Sequence, residues 1–218
     1  ATENMGVLEM GGNYVPGAWA LAFLARRGYA IWVNKRGERF ADENFDMHHV
    51  FQYANLIYKQ PEKTAFALFD ERVKQAIFKE GLSDMEAWVV GVDKETWPAT
   101  AEKDLRAQRN KKRVKISDSW DEIAEWIGVD SNVLKNTIDE YNSCCKKGHD
   151  DIFVKDKKRL LPLNTPPFYA IQFCNILMTA REGIKTNYRM EVLNRQDMPM
   201  PGLYAAGVEI SGVDGDTY

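Results

Sequence analysis

The chain has 218 residues, 44% of them apolar, with a formal net charge of −3, which suits one large domain or one domain with a smaller appendage. That balance excludes the electrostatic footprint of a nucleic-acid or anionic-membrane binder. No apolar run reaches the roughly 18 residues needed to span a bilayer, and no signal-peptide pattern is visible.

Residues 1–18 are punctuated by Gly11-Gly12 and Pro16-Gly17 and read as loop. Ala30 to Asn34 and Arg39 to Ala41 are β-rich limbs around the polar turn Lys35 to Glu38, which predicts a hairpin. Val50, Phe51, Ala54, Leu56 and Ile57 recur near the helical period within Met47 to Lys59. Thr64 to Phe69 reads as a strand, and Glu71 to Lys79 as a short helix ended by Gly81. Ser119 with Glu122 has capping-box spacing before a helix that stops at Gly128. Asp130 caps the next helix, whose stripe is Val133, Leu134, Thr137, Ile138 and Tyr141, with Gly148 at its close. Strands are expected around Tyr169–Phe173, Gly183–Asn187 and Met190–Leu193. Strand pairs lie close in sequence, so the expected class is α+β.

Three cysteines, two of them the adjacent Cys144 and Cys145, make a poor disulfide framework and favour a reducing, cytoplasmic setting. On a helix the adjacent pair points to different faces and reads as ordinary helix residues. The basic run from Arg106 to Lys115 is flanked by the acids Asp104, Asp118 and Asp121 and lacks aromatics, the pattern of a solvated loop. His48-His49 and the distant His149 do not make a metal set. At the far end, Pro201-Gly202 is a turn, Leu203 to Ala206 a short strand, and Gly207 opens a glycine-spaced loop. Backbone without Cβ atoms at such a place can approach a bound cofactor closely.

Four stretches, in order, resemble the fumarate reductase and succinate dehydrogenase flavoprotein family. Val33-Asn34-Lys35-Arg36-Gly37-Glu38-Arg39-Phe40-Ala41-Asp42-Glu43 is similar to that family's Val-Asn-x-x-Gly-x-Arg-Phe-x-Asn-Glu hairpin. The helix pair from Asp121 to Asn142 resembles helices of its cap domain. Pro166-Pro167-Phe168-Tyr169-Ala170 resembles its return strand, and Gly183 through Gly207 its flavin-proximal hairpin and late strand. The resemblance implies an α+β cap, or substrate, domain over residues 1–176. It also implies a return segment of the FAD-binding domain over 177–218, both being parts of a larger FAD-dependent oxidoreductase. The implied partners are a small-molecule substrate and the rest of the FAD-binding domain. No phosphate-cradling glycine loop opens a helix here, so this stretch alone is not expected to retain FAD.

The family's dicarboxylate chemistry needs fork-shaped cations for two carboxylates and an acid opposite the hydride donor. The resemblance sets Met47 at the proton-donor Arg and Ala22-Phe23 at the Thr-Glu pair. It sets Met10 at a His, Leu177-Met178 at a His pair, and Tyr218 at the last clamp Arg. Fumarate is therefore not the expected substrate. Ser211 to Tyr218 is similar to a loop of 3-ketosteroid dehydrogenases, in which a Thr-Tyr places a phenol by a substrate ketone. Candidate catalytic residues are Tyr218, His48 as a replacement acid, and Arg181 beside the flavin ring. His48 also reads as a polar helix start, and Arg181 as one half of a salt bridge with Glu182. Candidate cofactor-binding residues are Gly183, Gly207, Glu209 and Gly212. The alternative is a cap-like binding or interaction module without turnover.

Overall fold

The computed structural model describes residues 2–7, 18–44, 55–109, 113–180 and 183–210. Along the chain run β1 (Thr2–Val7), α1 (Ala18–Arg26), β2 (Ile31–Val33), β3 (Thr64–Asp70), α2 (Glu71–Glu80), α3 (Asp84–Val90) and α4 (Trp97–Gln108). They are followed by β4 (Val114–Ser117), α5 (Trp120–Ile127), α6 (Ser131–Lys147), β5 (Phe168–Ala180), β6 (Glu191–Leu193) and β7 (Pro199–Tyr204).

β5 is the hub. Its first half pairs antiparallel with β3 (Phe168 opposite Asp70, Cys174 opposite Thr64). β4 and β1 share its other edge end to end, at Phe168 to Ile171 and Cys174 to Ala180. β2 closes the far side by pairing with β3. All seven residues of β3 are buried, so its apolar run Thr-Ala-Phe-Ala-Leu-Phe is covered on both faces. Ala20 to Ala25 of α1 are buried all round, and Trp32 Nε1 donates to Ala25 O at 2.8 Å, tying helix to sheet.

Local signals account for most element ends. Asp70 Oδ1 caps α2 by accepting from Val73 N at 2.8 Å, and its Oδ2 accepts from the backbone of Asn164 and Thr165. Asp130 caps α6, and Gly128 and Gly148 end α5 and α6 in left-handed conformations. Elsewhere the expectations need correction. Ser119 accepts from Asp121 N, but Glu122 takes the Ser117 hydroxyl instead of completing a box. Val133 is 39% exposed, and the buried stripe of α6 is Leu134, Ile138, Tyr141 and Cys144. The expected hairpin keeps its turn but only one bridge, Val33 to Arg39, because β2 spends its ladder on β3. Residues 2–7, expected as loop, form β1. Gly183–Asn187 makes isolated bridges rather than a strand. Only the end of the helix expected over Met47 to Lys59 is described, with residues 55–58 helical. α1, α3, α4 and β4 were not anticipated; α1 is apolar on every side and shows no amphipathic period.

Residues 183–210 form a separate two-stranded unit of β6 and β7. Every residue of β7 is exposed, and Tyr188, Met190, Met198, Met200, Leu203 and Tyr204 are all more than 40% exposed. Among the described residues no helix is long and apolar enough to cross a membrane.

A polar knot between the start of β5 and helices α2 and α4 carries a pH prediction. The Tyr169 hydroxyl donates to Glu71 Oε2 at 2.5 Å and accepts from Lys74 Nζ at 2.9 Å, while Lys74 also reaches Glu102 at 2.8 Å. Burial, then the bond to Glu71, pushes the Tyr169 pKa up to about 12 from 10.0. A raised phenol pKa contributes stability that is complete below about pH 10 and lost as pH rises toward 12. Lys74, held charged by its acceptors despite burial, is raised too and acts in the same direction. Chemical denaturation should show stability falling between pH 10 and 12, by about 1–2 kcal/mol from the tyrosine. Tyr169→Phe should flatten that decline by roughly half; an unchanged slope would rule the phenol out as its source.

Candidate functional site

The β2 turn is built by side chains. Asn34 Oδ1 accepts from Arg36 N and Glu38 N, and Gly37 takes φ +79°, where a side chain would be strained. Thr137 of α6 donates to Gly37 O at 2.7 Å, fixing the turn to the helix. The turn delivers Arg39 into a buried ionic cluster. Arg39 grips Glu43 through Nε and Nη2, each at 2.7 Å, and its Nη1 lies 2.7 Å from Asp150 Oδ2 as an ion pair without hydrogen-bond alignment. Its guanidinium stands over the rings of Phe153 and Tyr141, 4.8 and 5.3 Å from their centroids. Lys155 Nζ lies 3.2 Å from Glu43 Oε2 and donates to Ala30 O at 2.8 Å. Trp32 N donates to Glu43 Oε1 at 3.0 Å, so both Glu43 oxygens are engaged.

Glu43, Asp150 and the Lys155 side chain are wholly buried. The cluster is charge-balanced, two cations against two carboxylates, which is how buried charge is tolerated. Burial opposes the Arg39 charge, but Glu43 and then Asp150 outweigh it and raise its pKa. Burial pulls Lys155 down, with Glu43 opposing. Burial also weighs against the Asp150 charge, yet the Phe153 N–H and Arg39 hold its pKa below the ordinary value. Beside this cluster Arg39, Tyr141, Cys144, Ile152 and Phe153 line a cavity of about 170 Å³.

A second place of note is a chain crossing. Ile184 N donates to Glu209 O at 2.7 Å, and Ile184 and Ile210 form a parallel bridge. A Cβ on Gly183 would stand 2.6 Å from the Glu209 carbonyl carbon and collide with its oxygen, so only glycine admits the approach. The fold thus brings Gly183 and Glu209, two candidate cofactor residues, to one point. Gly207 opens a short 3₁₀ turn beside them at φ +71°, and nothing lies within 4 Å of where its Cβ would be. The open space at Gly207, which carries no Cβ, would admit close approach of a flat cofactor to the backbone at that residue. His48, Arg181, Gly212 and Tyr218 lie outside the described residues. The two dicarboxylate positions within the described side chains, Ala22 and Phe23, are 2% and 4% exposed in the core.

Asp150 and Lys155 were missed in the sequence. Their run Asp-Asp-Ile-Phe-Val-Lys reads as a solvated loop, and nothing local signals that its lysine is buried.

Residues 16–216 match the family model described as an FAD binding domain. The chain belongs to the FAD-binding domain family. FAD is accordingly the cofactor that family membership assigns. Among curated proteins, a vinyl phenol reductase of Lactiplantibacillus plantarum is 30% identical over 190 residues, 86% of this chain and 38% of that protein. A cytochrome-type fumarate reductase of Shewanella frigidimarina is 27% identical over 203 residues, 92% of this chain and 30% of that protein. The chain therefore spans well under half the length of these relatives. Among solved structures, the 3-ketosteroid delta1-dehydrogenase of Sterolibacterium denitrificans superposes with TM-score 0.73 at 21% identity. That superposition covers all of this chain and 39% of the other. A flavocytochrome c3 fumarate reductase in its open conformation gives TM-score 0.61 at 22% identity, covering 100% and 32%. These likenesses establish the fold. In this FAD-binding domain family member, mixed helices and antiparallel strands carry the crossing at Gly183 and Glu209.

Proposed function

We propose that this chain is the substrate-covering part, residues 1–176, and a return segment, residues 177–218, of an FAD-dependent oxidoreductase acting on a carbon–carbon double bond other than that of fumarate. The observation that carries the reading is the joining of two unlike units within one flavoprotein-family span. One is a helix-backed sheet with its own core; the other is an exposed two-stranded unit whose two ends close on each other at the Gly183–Glu209 crossing. Vinyl phenol and fumarate, the namesakes of two relatives, each contain a carbon–carbon double bond, which supports the bond class.

FAD, when bound, supplies the hydride exchange. The chain's own residues would do the rest. Gly207 and Glu209 would let the backbone approach the cofactor, with Gly183 and Gly212 in the flanking loops. The sheet unit would exclude water from the substrate. His48 would hold a proton for the carbon opposite the hydride donor, and Tyr218 would donate a hydrogen bond to a substrate carbonyl. Arg181 would lie at the flavin edge. The apolar core residues Ala22 and Phe23 cannot pair with a carboxylate, which supports a substrate without two acid groups.

The test is reoxidation of a reduced dye by the full-length protein. An uncharged enone or a styrene-type alkene should support turnover, and fumarate should give less than about one-hundredth of that rate, since leaving a buried carboxylate unpaired costs several kcal/mol. Fumarate turnover equal to the best uncharged alkene would overturn the substrate assignment.

A further inference from the structure

Asp150 to Asp156, the loop that follows α6, is bent against its own preference. Val154 has φ +57°, left-handed backbone that a β-branched residue resists, and its side chain is 69% exposed, so no packing rewards it. The bend has one evident product: the next residue, Lys155, turns inward and sits wholly buried on Glu43 and Ala30 O. At the other end Asp150 Oδ1 accepts from Ile152 N and Phe153 N, each at 3.1 Å, and Val154 N donates to Asp150 O at 3.2 Å. Between these two anchors, Ile152 and Phe153 form one wall of the 170 Å³ cavity. Cys144, only 4% exposed, lies on another.

We propose that residues 150–156 are a strap, sprung at Val154 and latched by Lys155, whose release widens this partly open cavity and uncovers Cys144. The strain at Val154 favours release, and the ionic contacts of Lys155 and Asp150 oppose it. A local opening of this kind exposes buried groups without unfolding the sheet. Its equilibrium is set by the difference between spring and latch, so each can be altered separately.

The reporter is the rate at which iodoacetamide labels Cys144 in the 218-residue chain at fixed pH, resolved by peptide mass spectrometry. Cys174 in β5 serves as the internal control. Val154→Asn removes the β-branch and tolerates left-handed backbone, so it should slow Cys144 labelling by roughly three- to tenfold. Lys155→Met keeps the bulk but removes the latch, and should speed labelling roughly tenfold or more while Cys174 is unchanged. If Lys155→Met fails to fold, Val154→Asn still decides, because it acts in the stabilising direction. An unchanged Cys144 rate in Val154→Asn, or parallel acceleration of Cys144 and Cys174 in Lys155→Met, would overturn the strap.

Discussion

Replacing Glu43 by alanine should lower the free energy of unfolding by about 3–5 kcal/mol, the largest loss expected from a single side chain here. The carboxylate is wholly buried and accepts from Arg39 twice and from Trp32 N, with Lys155 beside it. Its removal leaves Lys155 with a backbone carbonyl and the Tyr141 ring but no carboxylate, and takes the Glu43 acceptor from Trp32 N, inside a medium where uncompensated charge is costly. Arg39 keeps Asp150, which is why the loss should not be larger. For a domain of this length the melting temperature should fall by on the order of 10 °C. Glu43→Gln should cost less, since it keeps the shape and one acceptor oxygen. Urea titration distinguishes the cases: the midpoint should fall with the slope unchanged. A loss below about 1 kcal/mol for the alanine variant would mean that the cluster is not coupled as its distances imply.

Gly183→Ala should part the crossing that closes the two ends of the β6–β7 unit. The added methyl would overlap the Glu209 carbonyl, and because the obstacle is backbone rather than a flexible side-chain end, the chains must move. Overpacking of this sort costs about 1–3 kcal/mol. The hydrogen bond from Ile184 N to Glu209 O should be lost with it. The readout is amide exchange at Ile184, expected to accelerate roughly tenfold or more, with β3 amides unaffected. The proposed cofactor role of Gly207 and Glu209 makes a second expectation: the same variant in the full-length protein should retain less flavin through gel filtration. Native exchange at Ile184 in the alanine variant would show that the crossing tolerates a side chain and does not fix those residues.

Much of the frame could be read from the residues because its signals are local. Asp130, Gly81, Gly128 and Gly148 act on their own helix ends. The turn Asn34–Glu38 is likewise closed by its own backbone and side chain. What escaped was non-local. β1 is polar in sequence, Thr-Glu-Asn-Met-Gly-Val, and becomes a strand only because the end of β5 offers an edge. α1 hides in an apolar run whose burial on all sides erases periodicity. Of the candidate site, Gly183, Gly207 and Glu209 were singled out by resemblance, and the fold joins the first and last through a carbonyl contact that sequence spacing cannot express. Lys155 looked like one more surface lysine; its burial depends on a bend at Val154 that no residue preference announces.

The pairing of β1 with the second half of β5 also has a consequence for synthesis. Val7 is opposite Cys174 and Thr2 opposite Ala180, so the first strand of this sheet to leave the ribosome pairs with the last. At elongation rates of about 5–20 residues per second, β1 waits on the order of ten to thirty seconds for its partner. β2, β3 and the helices α1 to α6 can collapse in that interval, whereas every ladder to β5 is deferred. Such a topology has high contact order and condenses late. A nascent chain stalled before residue 168 would hold β2 and β3 paired but keep both β1 and the outer edge of β3 open, and it is at that length that chaperone engagement should be heaviest.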